Sequence, residues 1–216
     1  MRQQISFLFV TVILSLSGTG CKTAPHSSGA VDHTWLIVPG KSVGMIDRQA
    51  TQASLKKSYG SRAAPDEEHI LDEQGAGTEG WILYSKDPNR RVEIVLSPEH
   101  TPKEAWLKGR VSKFKTKEGL TLGMTLKELE ALNGKPFELL GFGWDYGGFV
   151  SSWGGGKLAG VYSKEKIAIQ LGAREDVWKK LKKDEIGAVS GEGAFSTNSD
   201  LIQRLDLRVI QIQVRL

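Results

Sequence analysis

The chain has 216 residues, with 29 Lys and Arg against 25 Asp and Glu, a formal net charge of +4. So weak a basic balance argues against nucleic acid as a partner. One cysteine, Cys21, excludes an internal disulfide framework, so the fold must hold itself together by its core.

Residues 1–20 read as a signal peptide. Arg2 gives a positive start, Ile5 to Leu16 is apolar, and Ser17 to Gly20 are small residues. The apolar run is shorter than the roughly 20 residues a spanning helix needs. Removing residues 1–20 takes one cation and leaves 28 basic against 25 acidic residues.

The short apolar run, the small residues Thr19 and Gly20, and the sole cysteine directly after them resemble the lipobox of bacterial lipoproteins. Gly18 stands where that pattern usually has Leu. The resemblance implies that Cys21 is diacylated and becomes the new N-terminus. Two chains anchor where one would not, at about 0.8 kcal/mol per buried methylene. Lys22 after the cysteine is compatible, by the same resemblance, with outer-membrane delivery and a domain facing the periplasm. Residues 21–33 are polar, with Pro, Gly and Ser, and read as a flexible tether.

The folded part begins near Trp35 to Gly40, a short apolar strand closed by Pro-Gly. Asp47 to Gly60 reads as a helix, with Ala50, Ala53, Leu55 and Tyr59 toward a core and Gly60 as its stop. His69 to Glu73, Gly80 to Lys86 and Arg90 to Ser97 read as strands separated by turn-rich links. Ala105 to Thr116 reads as one strand with Trp106, Val111 and Phe114 alternating against Lys and Arg.

Thr125 to Pro136 is a second helix with defined ends. Thr125 and Glu128 form a capping box, and Leu126, Leu129 and Leu132 make an apolar stripe. Gly134 and Pro136 stop it. Glycine-rich β segments follow to Gly172, as in an antiparallel meander. Then come a polar helix or turn anchored by Val177 and Leu181, and a long final strand over Arg208 to Leu216.

The pattern occurs twice. A Val-Gly-Met or Leu-Gly-Met entry (Gly44, Gly123) leads to a helix, a glycine (Gly60, Gly134) and a run of strands. This predicts an α+β fold of two units, 34–116 and 117–216, whose strands could join one sheet.

Gly123, Met124, Thr125, Gly134 and Pro136 resemble the helix entry of the BamE/SmpA-like small lipoproteins. The first copy lacks Thr after Met45 and Pro after Gly60. The tandem arrangement is similar to the β-lactamase-inhibitor-protein fold. The mature chain also resembles lipoproteins of Bacteroidetes-type bacteria through "YSKDPNRRVEIV", "KTKEGLTLGMTLKELEALNGKPF" and "GFGWDYGG". These resemblances imply tandem helix-plus-sheet units and a non-enzymatic habit, without carrying over a partner.

Catalytic chemistry finds little support in the residues. His26 and His33 lie in or beside the tether, and His69 and His100 flank strands in polar company, so no triad is suggested. Asp66 to His69 are consecutive on an extended segment and point to alternate sides, which is poor metal geometry. "GGGKL" lacks the upstream Gly and the Ser or Thr of a phosphate loop. "GFGWDYG" follows a helix rather than a strand, against a dinucleotide loop. No cofactor or metal is expected.

The remaining candidate is "GFGWDYGG". On a strand, Phe142, Trp144 and Tyr146 would share one face, with Asp145 opposite or closing a turn, and Trp153 would extend the aromatic set. Two readings stand: aromatics that cap a sheet core, or a recognition surface anchored by Asp145. The expected function is that of a membrane-anchored, periplasm-facing, non-enzymatic protein-binding or scaffold module. Its partners would be the bilayer, through Cys21, and another envelope protein. The alternative is a hydrolase or carbohydrate-binding protein with Asp145 in a cleft.

Overall fold

A computed structural model describes residues 33–60, 66–71, 75 and 77–216. The expected signal peptide, Cys21 and the expected tether up to residue 32 lie outside the described residues.

The architecture is mixed α+β. A 3-10 turn, His33–Trp35, leads into β1 (Leu36–Val38) and β2 (Ser42–Val43). The helix α1 (Gln52–Tyr59) starts five residues later than its sequence pattern suggests. The cause is local: Thr51 and Ser54 form a reciprocal capping box, so Asp47 to Ala50 stay outside the helix.

β3 (Asp66–Leu71), β4 (Gly77–Leu83), β5 (Val92–Leu96) and β6 (Pro102–Lys108) follow as an antiparallel meander. The strand expected over 105–116 is interrupted. β6 ends at Lys108, Gly109 takes φ +118°, and Val111 is exposed; only the two-residue β7 (Lys115–Thr116) resumes, pairing parallel with β1.

The second helix, α2 (Leu126–Asn133), has the expected ends. Glu128 N–H donates to Thr125 Oγ1 at 3.2 Å, and Thr125 N–H donates to Glu128 Oε2 at 2.8 Å. Gly134 closes it in the left-handed region at φ +76°. Leu126 and Leu129 are buried.

β8 (Glu138–Leu140) pairs on one side with β9 (Val150–Ser152) and on the other with β11 (Ala194–Ser196). Lys157 to Ser163, expected as β, is a chain of turns. Its anchor is the buried Asn133, whose Oδ1 accepts from Leu158 N–H at 3.2 Å and whose Nδ2 donates to the Trp153 carbonyl at 2.9 Å. β10 (Ile167–Gly172), the short helices α3 (Glu175–Trp178), α4 (Lys183–Ala188) and α5 (Asp200–Arg204), and β12 (Arg208–Arg215) complete the chain.

Strands from both halves share one six-stranded antiparallel sheet, in the order β10-β12-β6-β5-β4-β3. The join is β12 on β6, with Ile212 opposite Leu107 and Val214 opposite Ala105. The strands after α2 do not repeat the four-strand meander after α1. Two of them form the separate small sheet with β11, and only β10 and β12 enter the large one.

The period of two sorts the large sheet's residues. Ile94, Leu107, Ile169, Ile212 and Val214 lie in the main core, with Leu55, Leu126 and Leu129 from the helices. The opposite face carries a smaller buried cluster of Ile70, Ile82, Val95 and Trp106. Trp106 is held there by polar neighbours. Its Nε1 donates to Glu104 at 2.7 Å, and the Lys108 ammonium lies 4.8 Å from its ring centre while pairing with Glu93 at 2.9 Å.

Candidate functional site: the aromatic turn and its cleft

The stretch between β8 and β9, residues 141–149, is a turn clamped at both ends. On one side, Phe142 N–H donates to the Val189 carbonyl at 2.8 Å, and Gly191 N–H donates to the Phe142 carbonyl at 2.9 Å. On the other, Leu171 N–H of β10 donates to the Gly148 carbonyl at 2.9 Å, and Gln170 Nε2 donates to the Gly147 carbonyl at 2.9 Å. Gly148 has φ +79°, which favours glycine, and a Cβ there would stand 2.1 Å from the Leu171 carbonyl oxygen.

This turn geometry divides the aromatic set, because the residues do not lie on a strand and so do not share a face. Phe142 is buried against Trp178, with ring centres 5.0 Å apart. Trp153 is buried too, between Phe137 at 5.2 Å and Tyr162 at 5.8 Å, and its Nε1 donates to the Tyr162 carbonyl. Both belong to the core rather than to a surface. Trp144 and Tyr146 stand at the tip, edge to face at 5.3 Å. Trp144 is half-buried, its Nε1 donating back to the Gly141 carbonyl at 2.8 Å, whereas Tyr146 is 47% exposed. Asp145 is exposed between them.

A cleft of about 430 Å³ opens beside the tip, lined by Tyr146, Phe149, Val150, Lys164, Glu165, Ala168, Gln213 and Arg215. Glu165 and Arg215 also line a neighbouring cleft of about 730 Å³ with Lys41, Asp47, Arg48 and Lys166. The Glu165 carboxyl is held below its ordinary range by its own backbone N–H and the Ser163 hydroxyl, with Lys164 and Arg215 adding to the effect. A third cleft, of about 290 Å³, reaches from Lys164 and Glu165 to Trp153 and Tyr162.

The largest of the four clefts described, about 780 Å³, adjoins the 730 Å³ cleft at Arg48 and Gln49 and lies between the start of α1 and the strands β4 and β5. Trp81 and Leu96 line it, and His100 Nδ1 lies 3.2 Å from Glu79 Oε2. Both partners are largely exposed. Asp145 lines none of these four clefts. Among the described residues no group of three or more His, Cys, Asp or Glu is placed to hold a metal ion, and no helix is long and apolar enough to cross a membrane.

The structure thus brings Trp144 and Tyr146 together and separates them from Phe142 and Trp153. The cationic rim of Lys41, Lys164, Lys166 and Arg215 was not legible locally. Its members come from three distant stretches, and only "SKEK", residues 163–166, gave a local hint of charge. Compared with known protein families, with curated proteins and with solved structures, the chain matches none.

Proposed function

We propose that this protein is a membrane-anchored, periplasm-facing lipoprotein that serves as a non-enzymatic protein-binding or scaffold module of the cell envelope. The observation that carries the binding reading is the Trp144–Tyr146 pair at the tip, with Tyr146 exposed and Trp144 half-buried, held on a doubly clamped turn beside a cleft. Rigid aromatic side chains at a surface supply interface area at small entropic cost and are favoured as binding anchors. The anchor rests on the sequence alone: the apolar run, the small residues and the sole cysteine at position 21. Outer-membrane placement rests on Lys22 in the same way.

The tandem, BamE-like reading of the fold draws its support from the two helix entries. Gly44 and Gly123 both take positive φ, at +58° and +81°, and both α1 and α2 are eight-residue helices behind capping boxes. The hydrolase or carbohydrate-binding alternative needs Asp145 in a cleft with a second ionisable group. Asp145 instead stands exposed on the turn.

Trp144→Ala tests the binding reading. Capture of envelope proteins by the lipidated chain should fall while the protein stays folded, its stability lowered by no more than about 1 kcal/mol; loss of fold together with capture would overturn it. Cys21→Ser tests the anchor. It should release the protein from the membrane fraction and abolish fatty-acid labelling, and survival of both would refute lipidation.

A further inference from the structure

Five exposed cations, Lys41, Arg48, Lys164, Lys166 and Arg215, line the two clefts that share Glu165 and Arg215, against two acidic side chains, Asp47 and Glu165. Among the described residues, Lys41, Lys164, Lys166 and Arg215 enter no ion pair. Arg48 donates from Nε to a main-chain oxygen of Leu216. The patch is continuous with the aromatic tip, because Tyr146 and Arg215 line the same cleft.

We infer that the partner of the aromatic turn is an acidic polypeptide segment, whose carboxylates lie along the Lys164–Lys166–Arg215 rim while its apolar side chains meet Tyr146 and Trp144. This rests on the binding reading above and names the chemistry of its partner. Cations in excess of the acids among them, beside an aromatic pair whose Tyr146 is exposed, complement an anionic ligand that also has apolar groups. A polypeptide fits better than an anionic bilayer for two reasons. The cations line concave clefts of about 430 and 730 Å³, which take side chains, whereas a bilayer presents a plane. Glu165 and Asp47 also stand among them, and would repel a continuous sheet of phosphates but can be straddled by spaced carboxylates.

The test uses the full chain carrying Cys21→Ser, so that no acyl chain masks the result. The probes are a random Glu–Tyr copolymer and vesicles of phosphatidylglycerol with phosphatidylcholine. The copolymer should bind, with affinity falling as salt rises. Lys164→Glu with Lys166→Glu should weaken it about tenfold. The equal charge change Lys56→Glu with Lys57→Glu, on exposed residues of α1 away from these clefts, should leave it unchanged. Equal weakening by both pairs, no copolymer binding, or vesicle binding that is stronger and equally sensitive to Lys164 and Lys166 would each overturn the inference, the last in favour of a membrane surface. The two readings separate in envelope capture. If Trp144→Ala lowers capture and the Lys164/Lys166 pair does not, the acidic partner fails and the binding module stands; if neither does, both fail.

Discussion

The Leu171 N–H donates to the Gly148 carbonyl at 2.9 Å, while a Cβ on Gly148 would meet the Leu171 carbonyl at 2.1 Å. The turn after β8 therefore lies against β10, the outermost strand at that end of the large sheet. An uncovered edge strand is a template for unwanted pairing, and this contact closes part of it. Gly148→Ala combines a positive φ with a backbone collision and should cost about 2–4 kcal/mol in urea unfolding. Gly143→Ala, at φ +85° but with its nearest neighbour at 3.7 Å, should cost only about 1 kcal/mol. Equal losses would show that the clamp on β10 adds nothing.

Thr125→Ala should cost about 1 kcal/mol by uncapping α2. The effect should depend on pH. The Thr125 backbone N–H, then its hydroxyl, hold the Glu128 carboxyl below its ordinary range. A depressed carboxyl contributes stability above its unfolded pKa and loses it as pH falls through the folded value. The gap between wild type and Thr125→Ala should therefore narrow on acidification below the ordinary Glu range, read as urea midpoints across pH. A gap that widens would contradict the capping assignment.

That helix was legible because everything that defines it is local: the cap, the stripe and the stop lie within a dozen residues, Thr125 to Pro136. The α+β class was legible for the same reason, from short periodic segments. The placement of the aromatics was not. Whether Phe142 and Tyr146 share a face depends on Gly148 meeting Leu171 and on Phe142 meeting Val189, contacts that span more than twenty residues. The union of the halves through Trp106 and Gln213 depends on still longer separation. The strand β11 and helix α5 have three and five residues, too few to show a period.

Neighbouring aromatics on the turn should respond differently. Phe142→Ala empties a buried site against Trp178 and should cost about 3–5 kcal/mol. Trp144→Ala removes a half-buried ring at the tip and should cost about 1 kcal/mol or less. Chemical denaturation of the two variants side by side decides the matter. A Trp144→Ala loss as large as that of Phe142→Ala would make Trp144 a core residue and remove the basis for a recognition surface.

Tyr162→Phe probes a buried relay that ties β7 to the segment before β10. Tyr162 OH donates to Glu118 Oε2 at 2.9 Å, so its proton is committed and Thr116 Oγ1 must donate to Tyr162. Leu120 N–H in turn donates to Thr116 Oγ1 at 3.2 Å. Burial pushes the Tyr162 phenol above its ordinary range, which favours the protonated, donating hydroxyl. Removing the hydroxyl leaves Thr116 without its acceptor in a buried place and should cost about 1–2 kcal/mol. The ring contact with Trp153 and the bond from Trp153 Nε1 to the Tyr162 carbonyl are kept, so the loss should be confined to the polar relay. Glu118 gives a separate readout. Burial pushes its carboxyl up, but its own backbone N–H, Tyr162, Thr116 and Lys117 together pull it below the ordinary value. Without the phenol the Glu118 carboxyl should titrate higher in a carbon-detected NMR titration, and the acid-side loss of stability linked to it should shrink. A destabilised variant with Glu118 unmoved would mean that the cost comes from packing, and the relay would lose its role.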